Sequence, residues 1–179
     1  MSSLFNRINR VPSQTYDIRP ATNGDIFAIR RLEVLVFRRD AYSYLNLTSL
    51  LMWPGAANFK AVDLGANELV GFVSGTPNWG TKTDWIVTLG VHPDHQRKHL
   101  GRRLLEVAEN ALSLPYLRLT VRRSNLAAIH LYETAGYSAL YVEPRYYEDG
   151  EDGIIMQKVR PEPPDPLDSD ESDQNSARR

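Results

Sequence analysis

Residues 88–105, TLGVHPDHQRKHLGRRLL, change character twice within a short span. The apolar run ending at Val91 reads as a strand and His92-Pro93-Asp94 as a turn. From Leu100 a helix begins, because Leu104, Leu105, Ala108, Ala111 and Leu112 recur at helical spacing. At the junction Arg97, Lys98, Arg102 and Arg103 surround Gly101. Such a segment has three readings: a solvated helix face, a nucleic-acid patch, or a cradle for an anion. In the last, the unpaired N–H groups and partial positive charge of a helix start bind phosphate, the cations add to the field, and glycine lets the backbone approach. Aromatic residues are not interleaved with these bases, as single-strand nucleic-acid binding requires. Strand, basic turn and helix together make one step of an α/β chain.

The same alternation extends outward in both directions. TYDIRP (15–20) alternates like a strand, and TNGDIFAIRRLEVLVFRR (22–39) follows with a cap-type Thr22 and apolar Ile26, Ile29, Leu32 and Val36 at helical spacing. LNLTSLLMW (45–53) predicts a short second helix closed by Pro54-Gly55. ANFKAVDL (57–64) and ELVGFVSG (68–75) flank Gly65-Ala66-Asn67 as a hairpin. TDWIVTLGV (83–91) is the strand already met. YLRLTV (116–121) predicts another strand and NLAAIHLYETAG (125–136) a helix stopped by Gly136. YSALYV (137–142) and DGIIMQKV (152–159) predict two last strands, so the sheet is mixed. The stretch GFVSG (71–75) lacks the G-x-S-x-G nucleophile elbow, and no phosphate-binding loop ending in Gly-Lys-Ser/Thr is present.

Composition bounds the function further. The chain has 179 residues, with apolar and charged fractions of 42% and 24%, ordinary for a soluble globular domain. Net charge is −1, unevenly spread: residues 161–179 hold six acids against Arg178 and Arg179. That tail therefore carries −4 and the remainder +3, a mildly basic body suited to a small anion rather than a DNA duplex. The organisation expected is a loose arm over 1–14, one domain over 15–160, and a Pro/Ser/Asp-rich disordered tail over 161–179. Without cysteine there is no disulfide, no thiolate nucleophile and no Cys-based metal site. His92, His95 and His99 lie close in sequence, yet only Asp94 accompanies them, and no metal is expected. No apolar run approaches the roughly 18–20 residues of a membrane span and no signal-peptide pattern opens the chain, so neither membrane nor nucleic acid is expected as partner and the expected compartment is cytoplasmic.

The junction resembles the acetyl-CoA motif of the GNAT superfamily, in which Gln/Arg-x-x-Gly-x-Gly/Ala follows a strand and opens a helix. Gln96 and Gly101 match its ends, while His99 stands at the middle glycine. VRRSNLAAIHLYETAGY (121–137) resembles the family's second signature, with Ser-Asn opening a helix and Leu-Tyr-x-x-x-Gly-Tyr closing it. RYYEDGEDGIIM (145–156) looks like the end of protein N-terminal acetyltransferases of the ribosomal-protein-alanine and Ard types. These matches span 85–156 in order; the N-terminal third fits only in its pattern of elements.

The resemblance implies a GNAT fold: a mixed sheet of about seven strands, splayed between its central strands, with about four helices. It implies acetyl-CoA as co-substrate, held by Leu89, Gly90 and Val91 along the strand, by Gln96, Arg97, Lys98, His99, Leu100, Gly101 and Arg102 at the pyrophosphate, and by Asn125 and Ala128 along the pantetheine. It makes Tyr132 the acid that protonates the departing thiolate, a role a phenol of reference pKa about 10 can fill. Tyr146 and Tyr147 would line the acceptor entrance. The base is the weak point. Thr120 stands where relatives often carry Glu or His, and is left to position a water; Trp85 stands where some carry tyrosine. His92, Asp84 and Glu143 are the substitutes within the chain. Strand alternation puts Arg118, Thr120 and Arg122 on one face, with Leu117, Leu119 and Val121 on the other.

Neutralising a lysine amine at pH 7 costs about 4–5 kcal/mol, an α-amine only about 1. A site without a strong base is thus easier to reconcile with an α-amine. The acceptor expected is the N-terminus of a protein or peptide. The alternatives are a small-molecule amine or lysine side chain, and a non-catalytic acyl-CoA sensor. Whether the chain is a monomer or homodimer is not written in these motifs.

Overall fold

The computed structural model describes residues 15–161; the arm expected over 1–14 and the tail beyond 161 lie outside the described residues. Seven strands and four α-helices alternate. They are β1 (Tyr16–Pro20), α1 (Ile26–Phe37), α2 (Tyr44–Met52), β2 (Ala57–Asp63), β3 (Glu68–Asn78), β4 (Thr83–Val91), α3 (Leu100–Ala111), β5 (Tyr116–Arg122), α4 (Leu126–Thr134), β6 (Ser138–Glu143) and β7 (Gly153–Val159). The sheet runs β1-β2-β3-β4-β5-β7-β6, antiparallel everywhere except at its centre, where β4 and β5 are parallel.

Local chemistry accounts for the boundaries. The Thr22 backbone N–H donates to the Asp25 carboxylate at 2.8 Å, closing a capping box ahead of α1. Ser43 caps α2 by accepting from the Asn46 N–H. Gly136, at φ +94°, ends the α4 region in the left-handed conformation that costs glycine nothing. β3 runs three residues past its expected end at Gly75. Its pairing with β2 stops at the Ala57–Gly75 pair, so Pro77 lies beyond β2 and pairs only with Asp84 of β4. A proline is tolerated in a strand there because no partner needs its missing N–H.

Alternation along β3 divides the core. Phe72 packs with Ile29, Leu32 and Leu47 under α1 and α2, whereas Val73 joins Leu104, Leu105, Ala108 and Tyr132 under α3 and α4. Helices therefore cover both faces, and the parallel centre lies between them, as α/β folds require.

Candidate active site

The two central strands part company after four residues. β4 pairs with β5 only from Thr83–Tyr116 to Ile86–Leu119; beyond that, β4 keeps β3 as its neighbour and β5 keeps β7. Their facing edges, 87–91 and 120–122, are left unpaired with each other. Val87 is also a bulge, because Ser74 of β3 pairs with Thr88 and Gly75 with Ile86. A bulged residue bends its strand and re-aims the backbone beyond it. The parting makes a cleft of about 380 Å³.

Of the residues singled out in the sequence, Trp85, Leu89, Thr120, Asn125, Ala128, Tyr132, Tyr146 and Tyr147 line this cleft. Tyr132 is buried on α4, its ring edge-on to Tyr137 with centroids 5.9 Å apart, and burial pushes its phenol up to about 12. Asn125 caps α4, its Oδ1 accepting from the Ala128 N–H at 3.1 Å, which leaves the side-chain NH₂ for a ligand. Tyr146 and Tyr147 stand edge-to-face in the β6–β7 loop with centroids 5.0 Å apart. Thr120 turns its methyl toward Gly153, where an added Cβ would come within 2.8 Å of it.

The basic loop sits at the far end of β4, outside the cleft lining. Gln96 spends its polar groups inside the turn: its side-chain Nε2 donates to Val91 O at 3.1 Å and its backbone N–H to Pro93 O at 3.2 Å. Gln96 thus ties the loop to the strand end. Arg97 and His99 both take positive φ, 57° and 58°, and His99 is the N-cap of α3. Alternating left-handed residues turn successive N–H groups toward one side, a concavity that suits an anion. The Arg97 and Lys98 side chains are exposed, while Arg102 pairs with Glu106 at 2.7 Å. Leu100 is buried and anchors the helix start; a Cβ on Gly101 would meet only ordinary contacts with Leu131, Leu89 and Val91. Gly90 faces the other way, making room for the Phe37 ring of α1. His95 pins the turn to β1 and β2 through Tyr16 Oη at 3.0 Å and Asp63 at 3.6 Å.

This arrangement matches the Acetyltransferase (GNAT) family model over residues 26–137. The chain belongs to the GNAT acetyltransferase family. As a GNAT N-acetyltransferase it is 31% identical over 154 residues to an uncharacterized N-acetyltransferase of Methanocaldococcus jannaschii, covering 84% of this chain and 96% of that one. It is 32% identical to the N-terminal acetyltransferase A catalytic subunit of Arabidopsis thaliana, covering 79% and 76%. The crystal structure of the Escherichia coli ribosomal-protein-S18-alanine N-acetyltransferase superposes with a TM-score of 0.72 at 28% identity, covering 85% of this chain and 98% of that one.

Within the GNAT frame, His99 occupies the left-handed position that the motif gives to glycine. Histidine tolerates that region better than most side chains; a β-branched residue does not. His99→Gly is expected to fold like the parent. His99→Val is expected to lower Tm by about 3–6 °C, from roughly 1–2 kcal/mol of strain. Thermal denaturation of both variants checks this.

Three substitutes considered for the base fall outside the cleft lining. Asp84 is buried and accepts the Leu114 N–H, His92 accepts from Asp94 N–H, and Glu143 is exposed at the end of β6. The cleft instead presents two carboxylates that the sequence reading passed over. Asp40, just after α1, takes Arg122 Nε and Nη2 on its Oδ2 at 2.7 and 2.6 Å. Glu33, on α1, is only 2% exposed. Its Oε1 accepts from Thr88 Oγ1 at 2.7 Å and its Oε2 from the Tyr42 N–H at 3.3 Å. Burial pushes the Glu33 carboxyl up, against the pull of Thr88, the Tyr42 amide and the Arg30 charge. Among the described residues no helix is long and apolar enough to cross a membrane.

Proposed function

We propose that this chain transfers acetyl from acetyl-CoA directly to the N-terminal α-amine of a protein or peptide. The observation that carries the reading is the single cleft that joins the unpaired β4 edge, the Tyr132 phenol and the Tyr146–Tyr147 pair. Acetyl-CoA suits the residues present. A strand edge with unpaired N–H and C=O groups accepts an amide-rich arm in ladder fashion, and Asn125 has a free NH₂ beside it. The positive-φ loop, the helix start and exposed Arg97 and Lys98 suit a pyrophosphate. A backbone N–H on the β4 edge polarises the thioester carbonyl, positioning brings the amine in line, and Tyr132 supplies a proton to sulfur. With no cysteine in the chain, no acyl-cysteine forms.

The acceptor side supports an α-amine. Glu33, Asp40, Tyr42 and Tyr146 surround it, so an ammonium group is drawn in, while the low cost of deprotonating an α-amine suits a modest base. The plant relative is named as an N-terminal acetyltransferase, and the bacterial one as an N-acetyltransferase for an alanine of ribosomal protein S18.

The test is CoA-thiol release with the full chain. Ala-, Ser- or Met-starting peptides are expected to be turned over at least about tenfold faster than an N-blocked lysine peptide or spermidine, a gap of about 1.4 kcal/mol in transition-state binding. Faster turnover of spermidine or lysine would move the acceptor class. Acetyl-CoA binding without thiol release for any amine would make the chain a sensor.

A further inference from the structure

We propose that Glu33 is the terminal proton acceptor for the amine, reached through the hydroxyl of Thr88. The inference rests on the acetyl-transfer reading above and assigns the base that reading lacks. Thr88 lies on the unpaired half of β4, one residue past the bulge at Val87, and both it and Glu33 line the cleft. Its Oγ1 already donates to Glu33 Oε1 at 2.7 Å. That orientation commits the hydroxyl proton to Glu33 and leaves the oxygen's lone pairs to accept an N–H from an incoming amine.

The alternatives are used elsewhere. Asp40 is held by two nitrogens of Arg122. Thr120 packs its methyl toward Gly153. Tyr132 is the proton donor to sulfur, and burial also raises Tyr42 and Tyr147, so these phenols keep their protons near neutral pH. Glu33 is left as the carboxylate whose hydrogen bonds run into the cleft through a relay. The titratable and charged groups that face it are Arg30 on its own helix, Thr88 and Tyr42 across it. Burial raises its affinity for a proton toward what a base near neutral pH needs.

The proton count closes. The ammonium gives one proton to the Thr88 oxygen as Thr88 gives its own to Glu33. The neutral amine attacks the thioester carbon, forming N–C with a negative carbonyl oxygen. Collapse breaks C–S, and the thiolate takes the Tyr132 proton. The tyrosinate is restored by the second proton on the new amide nitrogen. Glu33 then returns its proton to solvent, leaving N-acetyl peptide, CoA thiol and one released proton.

The experiment measures kcat/KM against pH, from about 5 to 9, for an Ala-starting peptide with the parent, Glu33→Gln, Thr88→Val and Thr88→Ser. Glu33→Gln and Thr88→Val are each expected to lower kcat about 100-fold or more, with acetyl-CoA affinity and Tm close to the parent's. The parent loses activity as pH falls through the raised Glu33 value, and Glu33→Gln lacks that acidic limb and keeps only the limb of the amine. Thr88→Ser, which keeps the hydroxyl, restores most of the rate. A Glu33→Gln enzyme within about threefold of the parent overturns the assignment, as does a rate loss that leaves the shape of the pH profile unchanged. An unaffected Thr88→Val overturns the relay even if Glu33→Gln does not fold. A parent inactive with every amine overturns the acetyl-transfer reading first, and the assignment falls with it.

Discussion

Tyr132→Phe is expected to lower kcat for acetyl transfer about 100-fold while leaving the affinity for acetyl-CoA within about twofold. The ring stays, so the edge-on contact with Tyr137 and the burial under α4 stay with it, and Tm changes little. What disappears is, among the described residues lining the cleft from α4, the one acidic proton, the proton proposed to go to the leaving thiolate. Burial raises the Tyr132 phenol to about 12, so the proton-bearing form persists throughout the usual assay range. The sign follows: a raised folded-state value keeps the acid loaded at every pH below it, so loss of the Tyr132 proton is expected to cause no basic-side decline within the usual assay range. A thiolate whose thiol has a reference pKa of about 8.5 needs no proton once pH rises above that value, so the penalty for losing the acid shrinks toward alkaline pH. Pre-steady-state thiol release with parent and variant gives the comparison. A variant with full activity across the range would remove Tyr132 from the chemistry and leave it as core packing.

The place of Tyr132 in the cleft was legible because it sits inside a motif; the places of the carboxylates were not, and the reason is geometric. Strands and helices announced themselves through periodicity, and β4 and α3 begin and end where the apolar pattern does. The anomaly at His99 was legible as a histidine where the motif has glycine, but its left-handed backbone emerges only in the structure. Glu33 gave a fainter signal. It stands four residues after Ile29 and three before Val36, on the helical stripe itself, so its burial follows from the same spacing that predicts α1. Reading Ile26, Ile29, Leu32 and Val36 as the apolar face skipped the acid among them. The bulge at Val87 and the parting of β4 from β5 have no local signature at all. They arise from which neighbours each strand keeps, a property of the sheet. For the same reason Gln96 matches the motif by type yet uses its amide to brace the turn. Composition identifies the residue, while its partner is decided by the fold.

Arg122→Met is expected to damage the acceptor side more than any other single change. Arg122 reaches three carboxylates from two segments: Asp40 after α1, and Asp149 and Glu151 in the β6–β7 loop at 3.0 and 2.6 Å. Its guanidinium also lies 4.0 Å over the Tyr147 ring. One side chain of β5 therefore fixes both walls of the acceptor entrance. Methionine keeps the apolar stem and deletes the charge, leaving three carboxylates facing one another around a partly buried position. Each wall is then pushed outward by like charge. The expected result is a rise in KM for the peptide of about tenfold or more, some 1.4 kcal/mol, with KM for acetyl-CoA nearly unchanged because the basic loop lies at the other end of β4. A fall in Tm accompanies it. The acid response shifts as well. Asp149 is held below the ordinary carboxylate range by the Glu151 N–H and by Arg122, and Glu151 by the Ser124 contacts and by Arg122. Depressed carboxylates stabilise the loop above their unfolded values and lose that contribution only as pH falls through the lower folded ones. Without Arg122 the depression is smaller, so the variant gains less than the parent as pH rises toward the ordinary carboxylate range of about 4, and loses less on acidification through it. Lysine at position 122 restores the charge but not the fork that engages Asp40 and Glu151 together, and is expected to recover stability better than peptide KM. Peptide and acetyl-CoA KM values for Arg122→Met and Arg122→Lys decide it. Equal losses on both substrates would mean that Arg122 holds up the fold as a whole and not the acceptor entrance.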